Sequence, residues 1–284
     1  MKYGLTFFPT DTSMRPDAFA RAAEVRGFES VWFAEHSHIP VSPATPGPPE
    51  PGAPGLPREY YAVGDPFVSL AMAAAATERL KLATGICLVA QRDVFQTAKQ
   101  VATLDHFSDG RFLFGVGGGW NRPEIANHGT DPDVRFAVLR EKIEAMKELW
   151  TQERAEYHGK YVDFGPSYAW PKPRHAPHPP VHVGGAGLRA IRRAVRYGDG
   201  WVPLLGSGED DPVALVPKLH EALREAGRPT EGFEVSIYMC PPDADVVSRC
   251  EQGGVDRVLF PAPSADAETI ETLLDAWADG LLSG

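Results

Sequence analysis

One rhythm constrains this sequence more than anything else in it. Short β-branched or aromatic runs alternate with longer stretches of helical periodicity, and the pair recurs eight times. The predicted strands are Tyr3–Phe8, Ser30–Ala34, Leu80–Ile86, Phe112–Gly117, Val181–Gly184, Gly200–Leu204, Glu234–Met239 and Arg257–Phe260. The predicted helices are Arg15–Arg26, Pro66–Thr77, Phe95–Phe107, Phe136–Thr151, Leu188–Tyr197, Pro212–Ala226, Ala244–Gln252 and Ala267–Ala278. Aliphatic residues within them fall at i, i+3 and i+4, as with Val138, Leu139, Ile143 and Met146. Gly27, Gly198 and Gly227 stand where helices end. Strand–helix units in series imply parallel strands joined by crossovers, and eight of them predict a closed (β/α)8 TIM barrel. A doubly wound open sheet is the competing architecture, disfavoured by that number. With 284 residues and 43% hydrophobic content, the chain reads as one domain, 1–284.

Two segments break the rhythm. His38–Gly64, after the second strand, contains PVSPATPGPPEPGAPGLP and is neither helix nor inner strand. It is either a disordered surface loop or a lid on the C-terminal face of the barrel, anchored by Tyr60 and Tyr61. The second, Glu153–Pro180, precedes the fifth strand as an extended excursion and closes on the polyproline-like PKPRHAPHPP.

The formal charge of −10, without a basic block, argues against nucleic acid or an anionic membrane surface as partner. Cys87, Cys240 and Cys250 are scattered, which fits a reducing cytoplasm better than a disulfide framework or a structural zinc site. The opening MKYGLTFF reads as a strand, not a signal peptide, and no apolar run reaches the ~18 residues of a membrane span.

In a barrel, chemistry is read at the C-terminal ends of the strands. The second strand ends in WFAEHSH, placing a carboxylate, Glu35, next to an imidazole, His36, a pairing suited to acid–base work. Adjacent strand residues point to opposite faces, so these two need not touch. His36 and His38 also have the spacing of a two-histidine metal site, but His182 begins its strand and the other strand ends offer no ligand; no metal is expected. The third strand ends in Gly85–Ile86 and the fourth in Gly117-Gly118-Gly119-Trp120-Asn121, a glycine-rich wall that suits a flat ring or a loose turn. The fifth runs into Gly184-Gly185-Ala186-Gly187 and a helix carrying Arg189, Arg192, Arg193 and Arg196. That arrangement is a tight turn with a solvated basic face, or an anion site at a helix start. It lacks the GxGxxG spacing of a dinucleotide fold.

Together GFESVWFAEH, LKLATGI, AKQVATLDHFSDGRFLFGVGGGWN and PPVHVGGAGLRAIRRAVRYGDGW resemble the luciferase-like monooxygenase superfamily, and within it the F420-dependent oxidoreductases, over nearly the whole chain. The resemblance implies that Glu35 and His36 lie beside the reactive carbon of the deazaflavin, with His36 in proton transfer. It implies a non-proline cis peptide at Gly85–Ile86 behind the ring. It also implies cofactor contacts from Gly118–Gly119 and from Gly184, Gly185, Ala186 and Gly187, the last four near the phosphate. The expected activity is hydride transfer between coenzyme F420 and a small organic substrate, in a homodimer. The chain departs from the sugar-phosphate dehydrogenases, which carry a catalytic glutamate where Trp120 stands; Glu124 is the substitute the chain offers. Two alternatives remain: an FMN-dependent monooxygenase using reduced flavin and O2, and a non-catalytic F420- or flavin-binding protein.

Overall fold

A computed structural model describes residues 1–42, 44–45, 55–206 and 210–282. Eight parallel strands close on themselves: β1 (Lys2–Phe7), β2 (Ser30–Phe33), β3 (Lys81–Thr84), β4 (Phe112–Val116), β7 (Val181–Gly184), β8 (Gly200–Val202), β9 (Glu234–Ile237) and β10 (Arg257–Pro261). Closure is made by β1 against β10, with Lys2 opposite Arg257 and Leu5 opposite Phe260. Helices follow the strands: α1 (Pro16–Val25), α3 (Pro66–Ala76), α4 (Val94–Phe107), α6 (Arg135–Thr151), α7 (Gly187–Tyr197), α8 (Val216–Glu225), α9 (Ala244–Gln252) and α10 (Ala267–Trp277). The eight expected units are therefore all present, and the open-sheet alternative is excluded by the closed ladder.

The differences lie in the connections. The excursion before the fifth barrel strand holds an antiparallel hairpin, β5 (Ala155–His158) with β6 (Asp163–Ser167). It is too polar to read as a strand pair, yet Ala155 and Val162 are buried in the core and Tyr157 and Phe164 pack against it. The expected helix Pro212–Ala226 is a 3-10 turn, Val213–Leu215, and then α8 with Pro217 in its first turn, because proline has no N–H to continue a helix from upstream. Two short helices were not expected: α2 (Arg58–Ala62), at the end of the Pro-rich segment, and α5 (Arg122–Asn127), after the glycine run. Part of the expected lid, residue 43 and residues 46–54, lies outside the described residues.

The barrel interior is layered. At its N-terminal end Arg257 donates to Glu29 at 2.8 and 3.0 Å, to Glu234 at 2.9 Å and to Ser236 at 2.9 Å, and Lys2 also pairs with Glu234. These groups pull Glu234 down to about 2: burial works against its charge, and Arg257, Lys2 and His182 overcome burial. His182, wholly buried there, is pushed down to about 4 by burial and by the Arg257 charge. Above this layer Trp32 fills the barrel with Ala83, Leu113, Val202 and Leu259. The indole fits because its neighbours are small: a Cβ on Gly115 would stand 3.1 Å from Trp32 Cζ3 and 2.0 Å from the Thr84 carbonyl oxygen. That packed layer is the floor of the cavity at the C-terminal face.

Candidate active site

The cavity at the C-terminal ends of the strands encloses about 320 Å³. Its walls include Glu35, His36, Gly85, Ile86, Gly118, Gly119, Gly184 and Gly185 of the expected site. Ala186 and Gly187, the N-cap and first residue of α7, stand just beyond Gly185 and outside the wall.

Glu35 and His36 diverge, as strand alternation requires. The buried Glu35 carboxylate accepts from Leu88 N at 2.7 Å and Arg92 Nε at 2.6 Å, while Arg92 Nη2 reaches Asp65 at 2.9 Å. Burial still raises the Glu35 carboxyl above its ordinary range, against the pull of Arg92 and the Leu88 N–H. Glu35 thus ties the end of β2 to the loop after β3, and the His36 ring takes its partner elsewhere. His36 Nδ1 lies 2.8 Å from Glu124 Oε2, and Trp120 Nε1 donates to His36 Nε2 at 3.3 Å. A carboxylate only accepts and an indole N–H only donates, so the neutral imidazole carries its proton on Nδ1 and turns its Nε2 lone pair outward.

Glu124 is fully buried, and its other oxygen accepts from Ser37 N at 3.1 Å. Asn121 caps α5 and receives the Glu124 N–H on its side chain, so Asn-Arg-Pro-Glu has capping-box spacing. That spacing is the sequence signal for an ordered glutamate here, though it does not reveal the histidine the carboxylate meets. His38, the second histidine of the HxH pair, faces Ser37, at 2.8 Å, and Asn127, at 3.0 Å. Among the described residues no group of three or more His, Cys, Asp or Glu is arranged to hold a metal ion.

Aromatic rings close the cavity above His36. Ring centroids are 5.5 Å apart for His36–Trp120, 5.7 Å for His36–Tyr60 and 5.1 Å for Tyr60–Phe8. Of the two candidate anchors, Tyr60 reaches the site and Tyr61 is exposed.

The opposite end is a shelf. The Gly85–Ile86 peptide is cis, and Tyr238, whose phenol is kept neutral by burial, donates to the Gly85 carbonyl at 2.6 Å. The Ile86 side chain lies over Gly117 and Gly184, where a Cβ would come within 2.0 and 2.7 Å of Ile86 Cδ1. Phe136 covers Gly118 and is flanked by the guanidinium of Arg193, 4.0 Å from the ring centroid, and that of Arg135, at 4.5 Å. Arg193 Nε is buried without a hydrogen-bond partner, and burial with Arg135 and Arg189 nearby holds its guanidinium below the ordinary range. Gly185 takes φ +110°, a conformation reserved for glycine, and thereby turns β7 into α7. The start of α7 has no side-chain cap. The roles of Phe136, Arg193 and Tyr238 come from this convergence and had no local signal beyond the arginine run.

Comparison with known proteins identifies the family to which this barrel and its cavity belong. The profile of the luciferase-like monooxygenase family matches residues 15–242, and the chain belongs to that family. A Mycobacterium bovis protein described only as uncharacterized is 42% identical over 270 residues, 94% of each chain. An F420-dependent glucose-6-phosphate dehydrogenase of Kineococcus radiotolerans is 32% identical over 226 residues, 75% of this chain and 59% of that one. Among solved structures, the coenzyme F420 dependent tetrahydromethanopterin reductase of Methanopyrus kandleri superposes with a TM-score of 0.77, at 19% identity, over 99% of this chain and 98% of that one. A monooxygenase of Streptomyces bottropensis gives the same TM-score at 22% identity, over 99% of each chain. Both confirm the fold.

Proposed function

We propose that this protein is an F420-dependent oxidoreductase that moves a hydride between the deazaflavin and an organic substrate, with His36 in proton transfer. The observation that carries the reading is the His36–Glu124 pair. Hydride transfer at a carbinol or carbonyl carbon requires a proton acceptor or donor at the attached oxygen, and Nε2 of a Glu124-held imidazole is that group. The fit of the cofactor rests on the shelf. Its ring would lie against Gly85–Ile86 and the glycines of β4 and β7. Its phosphate would meet Arg193, whose buried Nε has no partner, and the uncapped start of α7 at Gly185, Ala186 and Gly187.

When bound, the deazaflavin supplies or takes up the hydride. His36 Nε2 takes the hydroxyl proton of an alcohol as the carbinol hydride leaves, and returns it in reduction. Glu124 stabilises the imidazolium that forms and keeps the ring oriented. The Ile86 shelf, the Trp32 layer and the aromatic rings exclude water.

The second reading, an FMN-dependent monooxygenase using O2, would use the same shelf and is supported by membership of the luciferase-like monooxygenase family. Titration with F420 and with FMN, followed by fluorescence, separates the two. Binding of F420 supports the first reading, FMN alone supports the second, and neither would end both. The outer face of α3 and α4, where Val68 and Phe107 are exposed beside Phe67, Ala71 and Leu104, supports the expected homodimer. Light scattering of the purified chain tests it.

A further inference from the structure

The cavity has two chemically different ends. The cation in its wall, Arg193, lies on Phe136 at the shelf end. At the His36 end the described walls are the rings of Phe8, Tyr60 and Trp120, and no lysine or arginine contributes. The carboxylates nearby, Glu35 and Glu124, are buried and already engaged by Arg92 and His36. An anionic substrate placed here would lose its hydration without gaining a counter-charge, with the Glu124 carboxylate directly behind His36. A flat apolar ring meets the opposite situation. Trp120 is 46% exposed and Tyr60 only partly covered, so both offer ring surface to a ligand. The centroids of Tyr60 and Trp120 are 6.4 Å apart in an edge-on arrangement, with His36 next to both.

The Trp120 N–H occupies the His36 Nε2 lone pair that a substrate oxygen must reach. We propose that the substrate is an uncharged ring compound bearing a hydroxyl or carbonyl group, its ring held among Phe8, Tyr60 and Trp120 and its oxygen taking the place of the Trp120 N–H at His36. This rests on the hydride-transfer reading and names its substrate class. In oxidation the carbinol C–H bond breaks and its electron pair passes with the hydrogen to the oxidised deazaflavin. The O–H proton goes to His36 Nε2 and the C=O bond forms; reduction runs the same steps backwards. A phosphorylated sugar is turned away, in keeping with tryptophan at position 120.

The test is saturation-transfer NMR on the full chain, with and without F420, using acetophenone, 1-phenylethanol and glucose 6-phosphate as probes. The two ring compounds should receive saturation and the sugar phosphate should not. Trp120→Phe, which keeps a ring, should bind as the parent does, while Trp120→Ala and Tyr60→Ala should each weaken binding by about tenfold. Both positions are partly exposed, and circular dichroism checks that the variants fold. Preference for glucose 6-phosphate, acetophenone binding unmoved by either alanine variant, or no acetophenone binding to folded protein in either cofactor state would overturn the inference. F420 binding is followed separately by fluorescence. Trp120-dependent acetophenone binding in a protein that ignores F420 would keep the ring-binding site and remove the hydride-transfer reading on which its role as a substrate site rests.

Discussion

Glu124 Oε2 lies 2.8 Å from His36 Nδ1, although the two residues are 88 positions apart in sequence. The carboxylate sets which ring nitrogen carries the proton and would stabilise the imidazolium formed in proton transfer. Glu124→Gln should therefore lower turnover by roughly 100-fold or more. His36→Ala should do the same, with cofactor affinity within a few-fold of the parent in both. Nitrogen-15 NMR of the resting protein should show His36 protonated on Nδ1; the opposite tautomer would remove the orienting role of Glu124.

Glu35 and Arg92 form a buried ion pair at 2.6 Å, and the same carboxylate holds the Leu88 N–H. Removing the carboxylate leaves Arg92 with Asp65, at 2.9 Å, and Gln100, at 3.1 Å, and orphans the buried Leu88 N–H. Glu35→Ala should destabilise the fold by about 1–3 kcal/mol in urea denaturation. A loss below about 1 kcal/mol would show that solvent rescues the Leu88 N–H and that the pair does not hold the loop.

Ile86 is pinned between Gly117 and Gly184, so a methyl group on Gly117 has to push Ile86 into the cavity. Gly117→Ala should weaken cofactor binding, and Gly117→Ala with Ile86→Ala should recover much of the loss. Additive losses in fluorescence titrations would instead mean that the glycine serves the backbone, not the shelf.

Arg193, half-buried, is the cation of the shelf and has no carboxylate partner among the described residues. Arg193→Met keeps the stacking on Phe136 but loses the charge. Cofactor affinity should fall by roughly tenfold and depend less steeply on salt. An unchanged salt dependence would place the phosphate elsewhere.

His182 is pushed down to about 4 in the folded protein, from an ordinary 6.5. The unfolded chain therefore binds the extra proton between those values. The resulting stability is complete above pH 6.5 and is lost as pH falls toward 4. Between pH 7.5 and 5 the loss should be about 2 kcal/mol. His182→Gln should flatten this part of the profile, measured by urea denaturation across pH; an unchanged slope would assign it to other groups.

Much of this fold is legible in the sequence alone. The eight apolar runs and the helical stretches between them determine the barrel, because burial of alternating strands and amphipathic helices depends on local periodicity. The same reading places Glu35, His36 and the glycines at strand ends, hence at one face. It also leaves Glu35 and His36 free to diverge, as they do. What the periodicity does not contain is which side chains meet across the mouth of the barrel. Glu124 reaches His36 from a short capped helix, Tyr60 from the end of the Pro-rich segment, and Tyr238 reaches Gly85 from a strand on the far side. Those contacts depend on barrel closure, which brings residues distant in the chain to within a hydrogen bond of one another. The sequence determined that His36 stands at the mouth; the tertiary structure decided that Glu124, and not the adjacent Glu35, orients it.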